Sequence, residues 1–397
     1  AQVVNLATTD LTHRIYPLSI DFAAVKRLET YKDYSCDSLC TGACGSGGRM
    51  IMVTHQIIEE HAVISSIDLG HLECLRIFNH QARSSIESEL SSLAAICKAP
   101  VLRGISTYIS LLNSGIQLPE SLTHLQLDCD QYPKFTLNLP SLKYLHIYTE
   151  ATTHTQSPEK DSWSSCDVFG LWTFPKLVTF RLGGSITEDE WAHIWQLVLN
   201  CSSTIINFVA DFKMSVSEPF HKTLQPPITI FSPILNACAN LSLFGIMVSS
   251  IISSVSNSSF SFPSNHHLTE NHARAGPRSL LIIGMGTFGD YKHHEIESFQ
   301  RSLNNSSILE VLLGPSTGEM ITSSFKRIVV PYTWSELNAV WDDAHKAAMR
   351  NLTKPFHHPS VLAWVFLKYF IKRGMDVVDE EGVELRDGGM WLLESTL

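Results

Sequence analysis

The sequence predicts an α/β fold, an irregular solenoid with a parallel sheet on its concave face and helices outside. Three observations predict it. A short leucine pattern recurs along the chain, amphipathic stretches lie between several of its copies, and a proline two or three residues ahead of the leucine leads into three of them. A repeat of this size cannot bury its own apolar face, so neighbours stack and share one core.

The pattern is a leucine, two variable residues, an apolar residue, one variable residue and another apolar residue. It reads Leu72, Cys74-Leu75, Ile77 in its first clear copy. It returns as Leu122, Leu125, Leu127, then as Leu142, Leu145, Ile147 and as Leu177, Phe180, Leu182. A fifth copy is Leu241, Phe244, Ile246, and weaker ones start at Leu102, Ile205, Leu280 and Ile308. The last two apolar positions alternate as on a strand with one buried face. The first leucine tucks into the turn before the strand. Pro119, Pro140 and Pro175 end the preceding segments and favour an extended chain.

Between the strands, residues 86–97 place Ile86, Leu90, Leu93 and Ile96 on one helical face. Residues 187–190 open a second helix, with acids in its first turn and Ile194, Leu197 and Val198 on its apolar side. A third covers 294–303. Strand followed by helix, repeated, places a parallel sheet on one side and helices on the other.

The domain reading follows. Residues 1–71 are an N-terminal segment with room for degenerate first repeats. Residues 72–330 form the solenoid, interrupted by a Ser-rich insertion at 247–276, and 150–167 is a polar loop. Residues 331–397 form a C-terminal cap. There, 334–352 and 360–373 are helical, Gly374 ends the second helix, and 375–378 with 383–385 make a hairpin around an acidic turn.

Composition narrows the function. With 44% hydrophobic and 17% charged residues, the chain has ample material for a core and is neither disordered nor a charged coiled coil. Its longest apolar runs fall well short of the roughly 18 residues of a membrane span. A formal charge of -10 without a basic cluster argues against nucleic acid as a partner. The chain opens on Ala1 with no basic segment leading into an apolar stretch, so no signal peptide is expected. Nine cysteines, mostly single and beside apolar residues, read as reduced and structural. The expected location is therefore cytoplasmic or nuclear.

Chemistry-bearing motifs are few. Gly284-Met285-Gly286-Thr287-Phe288-Gly289 follows an apolar strand, the setting of a dinucleotide-binding turn. It gives the alternative reading, an NAD(P)-dependent oxidoreductase. The acid expected about 20 residues later falls at Glu310, inside an expected strand 308–313 and not at its end. Cys36, Cys40 and Cys44 stand four apart without an obvious fourth ligand. No cofactor, metal or catalytic residue is expected.

The irregular repeats, followed by an aromatic-rich helix, Arg373-Gly374 and a short acidic strand pair, resemble the F-box/leucine-rich-repeat proteins of mushroom-forming fungi. The likeness covers roughly 72–385. It implies a ribonuclease-inhibitor-like solenoid and a non-catalytic substrate receptor related to ubiquitin-ligase adaptors. Residues 118–122 superficially match the opening of an F-box but run into strand-like alternation. A Skp1-type adaptor is implied as a partner only if an F-box lies upstream. Otherwise the partner is an unknown protein, met on the concave face by His124, Gln126 and Asp128, by Tyr144, His146 and Tyr148, and by Thr179 and Arg181. Two tyrosines and an arginine in that strip are residue types enriched in binding hot spots.

Overall fold

The computed structural model describes residues 102–149 (except 130), 168–215, 223–224, 228–251 (except 249–250), 278–285, 325–351 and 359–385. It also describes four strands within 1–78, residue 97, and 296–313 in part. The fold is α/β, with parallel strands and helices. The chain divides into two compact units, Ala1–Thr204 and Ile205–Leu397.

The first unit holds eight strands in sequence order: β1 (Asn5–Thr8), β2 (Arg27–Thr30), β3 (Met50–Thr54), β4 (Cys74–Phe78), β5 (Gly104–Tyr108), β6 (His124–Asp128), β7 (Tyr144–Thr149) and β8 (Thr179–Ile186). Every neighbouring pair is parallel. The sheet therefore begins well before residue 72, and three strands lie within 1–71. The predicted helix at 86–97, the loop at 150–167 and Cys36, Cys40 and Cys44 lie outside the described residues, apart from residue 97.

The leucine pattern does what its spacing implies. Leu125, Leu127, Leu145, Ile147, Phe180 and Leu182 are fully buried on one face of the sheet. The leading leucines Leu122, Leu142 and Leu177 are equally buried. Each closes a tight turn, its N–H donating to the carbonyl three residues back, on Pro119, Leu139 and Phe174. The next two N–H groups then share one carbonyl of the preceding repeat. Thr123 and His124 donate to Arg103, Lys143 and Tyr144 to Thr123, and Val178 and Thr179 to Lys143. This repeated bond fixes the register of each strand on the last.

Helix α1 (Glu188–Cys201) starts at a complete capping box. The Thr187 hydroxyl accepts from the Glu190 N–H, and the Glu190 carboxylate accepts from the Thr187 N–H at 2.8 Å. Ile194, Leu197 and Val198 are buried, as the sequence predicts. Beside it lies an aromatic cluster that no periodicity announces. Phe169, Trp172 and Phe174 are buried, Phe135 stacks on Trp172, and the Trp172 indole donates to the Phe135 carbonyl at 2.9 Å.

The second unit orders its strands β9 (Asn207–Ser215), β11 (Leu243–Met247), β12 (Arg278–Ile283), β13 (Phe325–Val329) and β14 (Asp376–Val378), all parallel. The short β10 (Thr223–Leu224) folds back antiparallel on β9. Phe208, Phe244, Leu280, Ile282 and Ile328 face the core. Helices α2 (Ile228–Ala237), α3 (Ile296–Asn304), α4 (Trp334–Asn351) and α5 (Pro359–Ile371) complete it. The Ser-rich insertion lies mostly outside the described residues.

Two expectations are corrected here. The described residues of the expected strand 308–313 are not strand: Leu309, Leu312 and Leu313 are helical and buried, at the three- and four-residue spacing of one helical face. The strand beside β12 is β13 instead. The predicted C-terminal hairpin is borne out only at its tip. Residues 376–378 form the last parallel strand, and only Val378 and Glu384 bridge back antiparallel. Gly374 does follow α5 in the left-handed conformation, at φ 73°.

Candidate functional site

The predicted residues come from β6, β7 and β8, and the register brings them into rows. His124 pairs with Tyr144, and Tyr144 with Thr179. Gln126 pairs with His146, and His146 with Arg181. Asp128 pairs with Tyr148, which pairs with Gly183. All lie on the face opposite Leu125, Leu145 and Phe180, because successive strand residues alternate sides.

Strand β5 extends two of these rows, which the sequence reading missed. Ser106 stands beside Gln126, and Tyr108 beside Asp128. The signal was present in the weak copy at Leu102, whose strand carries Ser106 and Tyr108 at the outward positions.

Exposure is uneven across the rows. Tyr148 is 39% exposed, while His146 between the two tyrosines is only 2% exposed. The His146 ring meets Tyr148 edge-on, with centroids 6.3 Å apart. His146 therefore supports its neighbours and offers almost no surface of its own. His124, Gln126, Asp128, Tyr144, Thr179 and Arg181 are half-buried. His124 and Tyr144 lie in tilted contact at 5.8 Å, and the Thr123 hydroxyl is 2.9 Å from Nδ1 of His124. Burial holds the His124 imidazole below its ordinary pKa, and the nearby Lys143 cation lowers it further.

At the C-terminal ends of the strands, β8 passes close to β7. Gly184 has φ 91°, and a Cβ there would overlap the Thr149 carbonyl. The Thr149 hydroxyl donates to the Ser185 carbonyl at 2.7 Å. The glycine is required on both counts, a left-handed backbone and no room for a side chain.

The glycine motif at 284–289 is described only at its first two residues. Gly284 turns the chain at φ 80°, Met285 is fully buried, and its carbonyl accepts from the Trp341 indole at 3.0 Å. Cys201 is buried, and burial pushes its thiol up to about 11, partly offset by a hydrogen bond from the Phe174 backbone. Such a thiol is protonated and a poor nucleophile near neutral pH. Among the described residues no group of three His, Cys, Asp or Glu side chains is placed to hold a metal ion. Among the described residues no helix is long and apolar enough to cross a membrane. No protein-family model matches the chain, and no curated protein matches it.

Proposed function

We propose that the chain is a non-catalytic protein-binding scaffold of the leucine-rich-repeat type, acting as a substrate receptor related to F-box/leucine-rich-repeat adaptors. The observation that carries this reading is the registered polar face of β5 to β8. Tyrosine, histidine, aspartate and arginine side chains stand there in rows on a ladder whose opposite side is buried and, but for Thr107 and Thr149, apolar. A registered array of this kind suits the docking of another protein's surface, with aromatic and arginine side chains as anchors. The supporting strands do not need to move, so little conformational entropy is lost on docking. The reading places the protein in the cytoplasm or nucleus, and a Skp1-type adaptor joins it only through an F-box outside this sequence.

The test is affinity capture with the purified chain, followed by titration of the captured partner. Tyr144→Ala and Arg181→Ala should each weaken binding by more than about 1 kcal/mol, with the melting temperature nearly unchanged. Wild-type affinity in both variants would move the docking surface off this face.

A further inference from the structure

The outermost row of the polar face has its own chemistry. Tyr108, Asp128 and Tyr148 are direct partners on three adjacent parallel strands. Neighbouring strands lie about 4.8 Å apart, so one carboxylate stands with a phenol on each side. Gly183 follows Tyr148 in the same row and contributes no side chain. Tyr148 is the most exposed of the large residues on these strands, and Asp128 and Tyr108 are half-buried.

We propose that this row seats the guanidinium or ammonium group of a basic peptide segment on the partner. The proposal rests on the docking reading above and names the partner's chemistry. A carboxylate attracts a cation directly, and flanking aromatic rings add attraction through their π faces. Half-burial lowers the local dielectric and strengthens both terms. The same row repels an acidic segment, because its one formal charge is negative. The cationic Arg181 lies one row inward, beside His146, so the face is polarised along the strands. A segment presenting a cation at the outer row and a carbonyl or carboxylate at the middle row matches it.

The probe is a hexa-arginine peptide titrated into the intact chain at moderate salt, with hexaglutamate as its counterpart. Any polycation is drawn weakly to a chain of charge -10, so a control acid outside the row is needed. Asp343, exposed on α4, supplies it. Asp128→Asn and Tyr148→Ala should each weaken hexa-arginine binding about tenfold. Tyr148→Phe should retain it, Asp343→Asn should change it less than about twofold, and hexaglutamate should not bind. Equal losses in Asp128→Asn and Asp343→Asn would overturn the seat, as would wild-type affinity in Tyr148→Ala. If Asp128→Asn melts early, the Tyr148→Phe and Tyr148→Ala pair decides alone. Unchanged peptide affinity in the outer-row variants, with partner binding still lost in Tyr144→Ala, sinks the seat and leaves the docking reading standing.

Discussion

The two units build their sheets from the same ladder and dress the outward face differently. In the first, the rows on β6 to β8 carry His124, Tyr144, Gln126, His146, Arg181, Asp128 and Tyr148. In the second, the corresponding central row is Val209, Gly245, Leu281, Val329 and Val378, strand by strand. The next row holds Met247 and Ile283. The backbone connections are nonetheless alike. Ser242 and Leu243 both donate to the Ile206 carbonyl, and Leu241 closes the same turn onto Cys238 as Leu122 does onto Pro119. Inward leucines and shared carbonyls thus specify the ladder. The outward positions are free of that duty: in the second unit the first row, Asn207, Leu243, Ser279, Arg327 and Asp376, is largely polar and the central row apolar, whereas every row of the first unit carries polar or aromatic side chains.

If the ladder is common, core truncation should cost both units alike. Phe244 is fully buried between Phe208, stacked at 6.1 Å, and Phe231, edge-on at 5.6 Å. Phe244→Ala should destabilise the second unit by about 3–5 kcal/mol and Leu145→Ala the first by about 2–5 kcal/mol. Denaturant unfolding, followed by tryptophan fluorescence, measures both. A loss below about 0.5 kcal/mol in either would show that its side chain is not in the core, and the comparison would break there.

That core was legible because each clear copy opens on a leucine and places apolar residues at the same two strand positions. Where the sequence misled, the physical reason is local. In β13, Lys326 and Arg327 are adjacent and both exposed, which spoils strand alternation. The register explains it: Arg278 pairs with Phe325 but Ser279 with Arg327, so Lys326 is the extra residue of a bulge. In β14, the acidic turn looks like a hairpin tip because it is one in part. Its aspartate also ties the turn to α4. Asp379 accepts from the Val383 N–H at 2.8 Å and from the Trp334 N–H at the start of α4. The rows of the candidate site followed from spacing alone. The burial of His146 did not, because it depends on which side chains flank it across the strands.

Glycines sharpen the contrast further. Gly184 in the first unit and Gly245 in the second both sit within strands, but they answer different demands. Gly184→Ala meets a backbone carbonyl and a left-handed φ together, and should cost about 3 kcal/mol. At Gly245 a Cβ would stand 3.0 Å from a Val209 methyl and 3.3 Å from Leu281, side chains that can shift by tenths of an ångström. Gly245→Ala should cost about 1 kcal/mol or less. Thermal melts of the two variants rank them. A larger loss at Gly245 would mean that the apolar rows of the second unit are packed as rigidly as a core.

The smallest expected effect concerns pH, and it separates the His124 row from the apolar central row of the second unit. His124 is half-buried, and its imidazole is held below the ordinary value, first by burial and then by Lys143. The folded state therefore gives up this proton more readily than the unfolded chain. Between the lowered folded value and the ordinary value near 6.5, the unfolded state binds more protons, so stability rises with pH across that window. Above it the contribution is complete, and as pH falls through the folded value it is lost. Solvent screening at a half-exposed ring keeps the whole effect below about 1 kcal/mol. His124→Gln should flatten the rise in urea midpoint between about pH 5 and about pH 8, and Lys143→Gln should reduce it by the smaller share. The row Val209, Gly245, Leu281, Val329 and Val378 has no group that titrates. Leu281→Ala should therefore lower the midpoint by the same amount at both pH values. An undiminished slope in His124→Gln would place the pH response elsewhere in the chain and remove this distinction between the two rows.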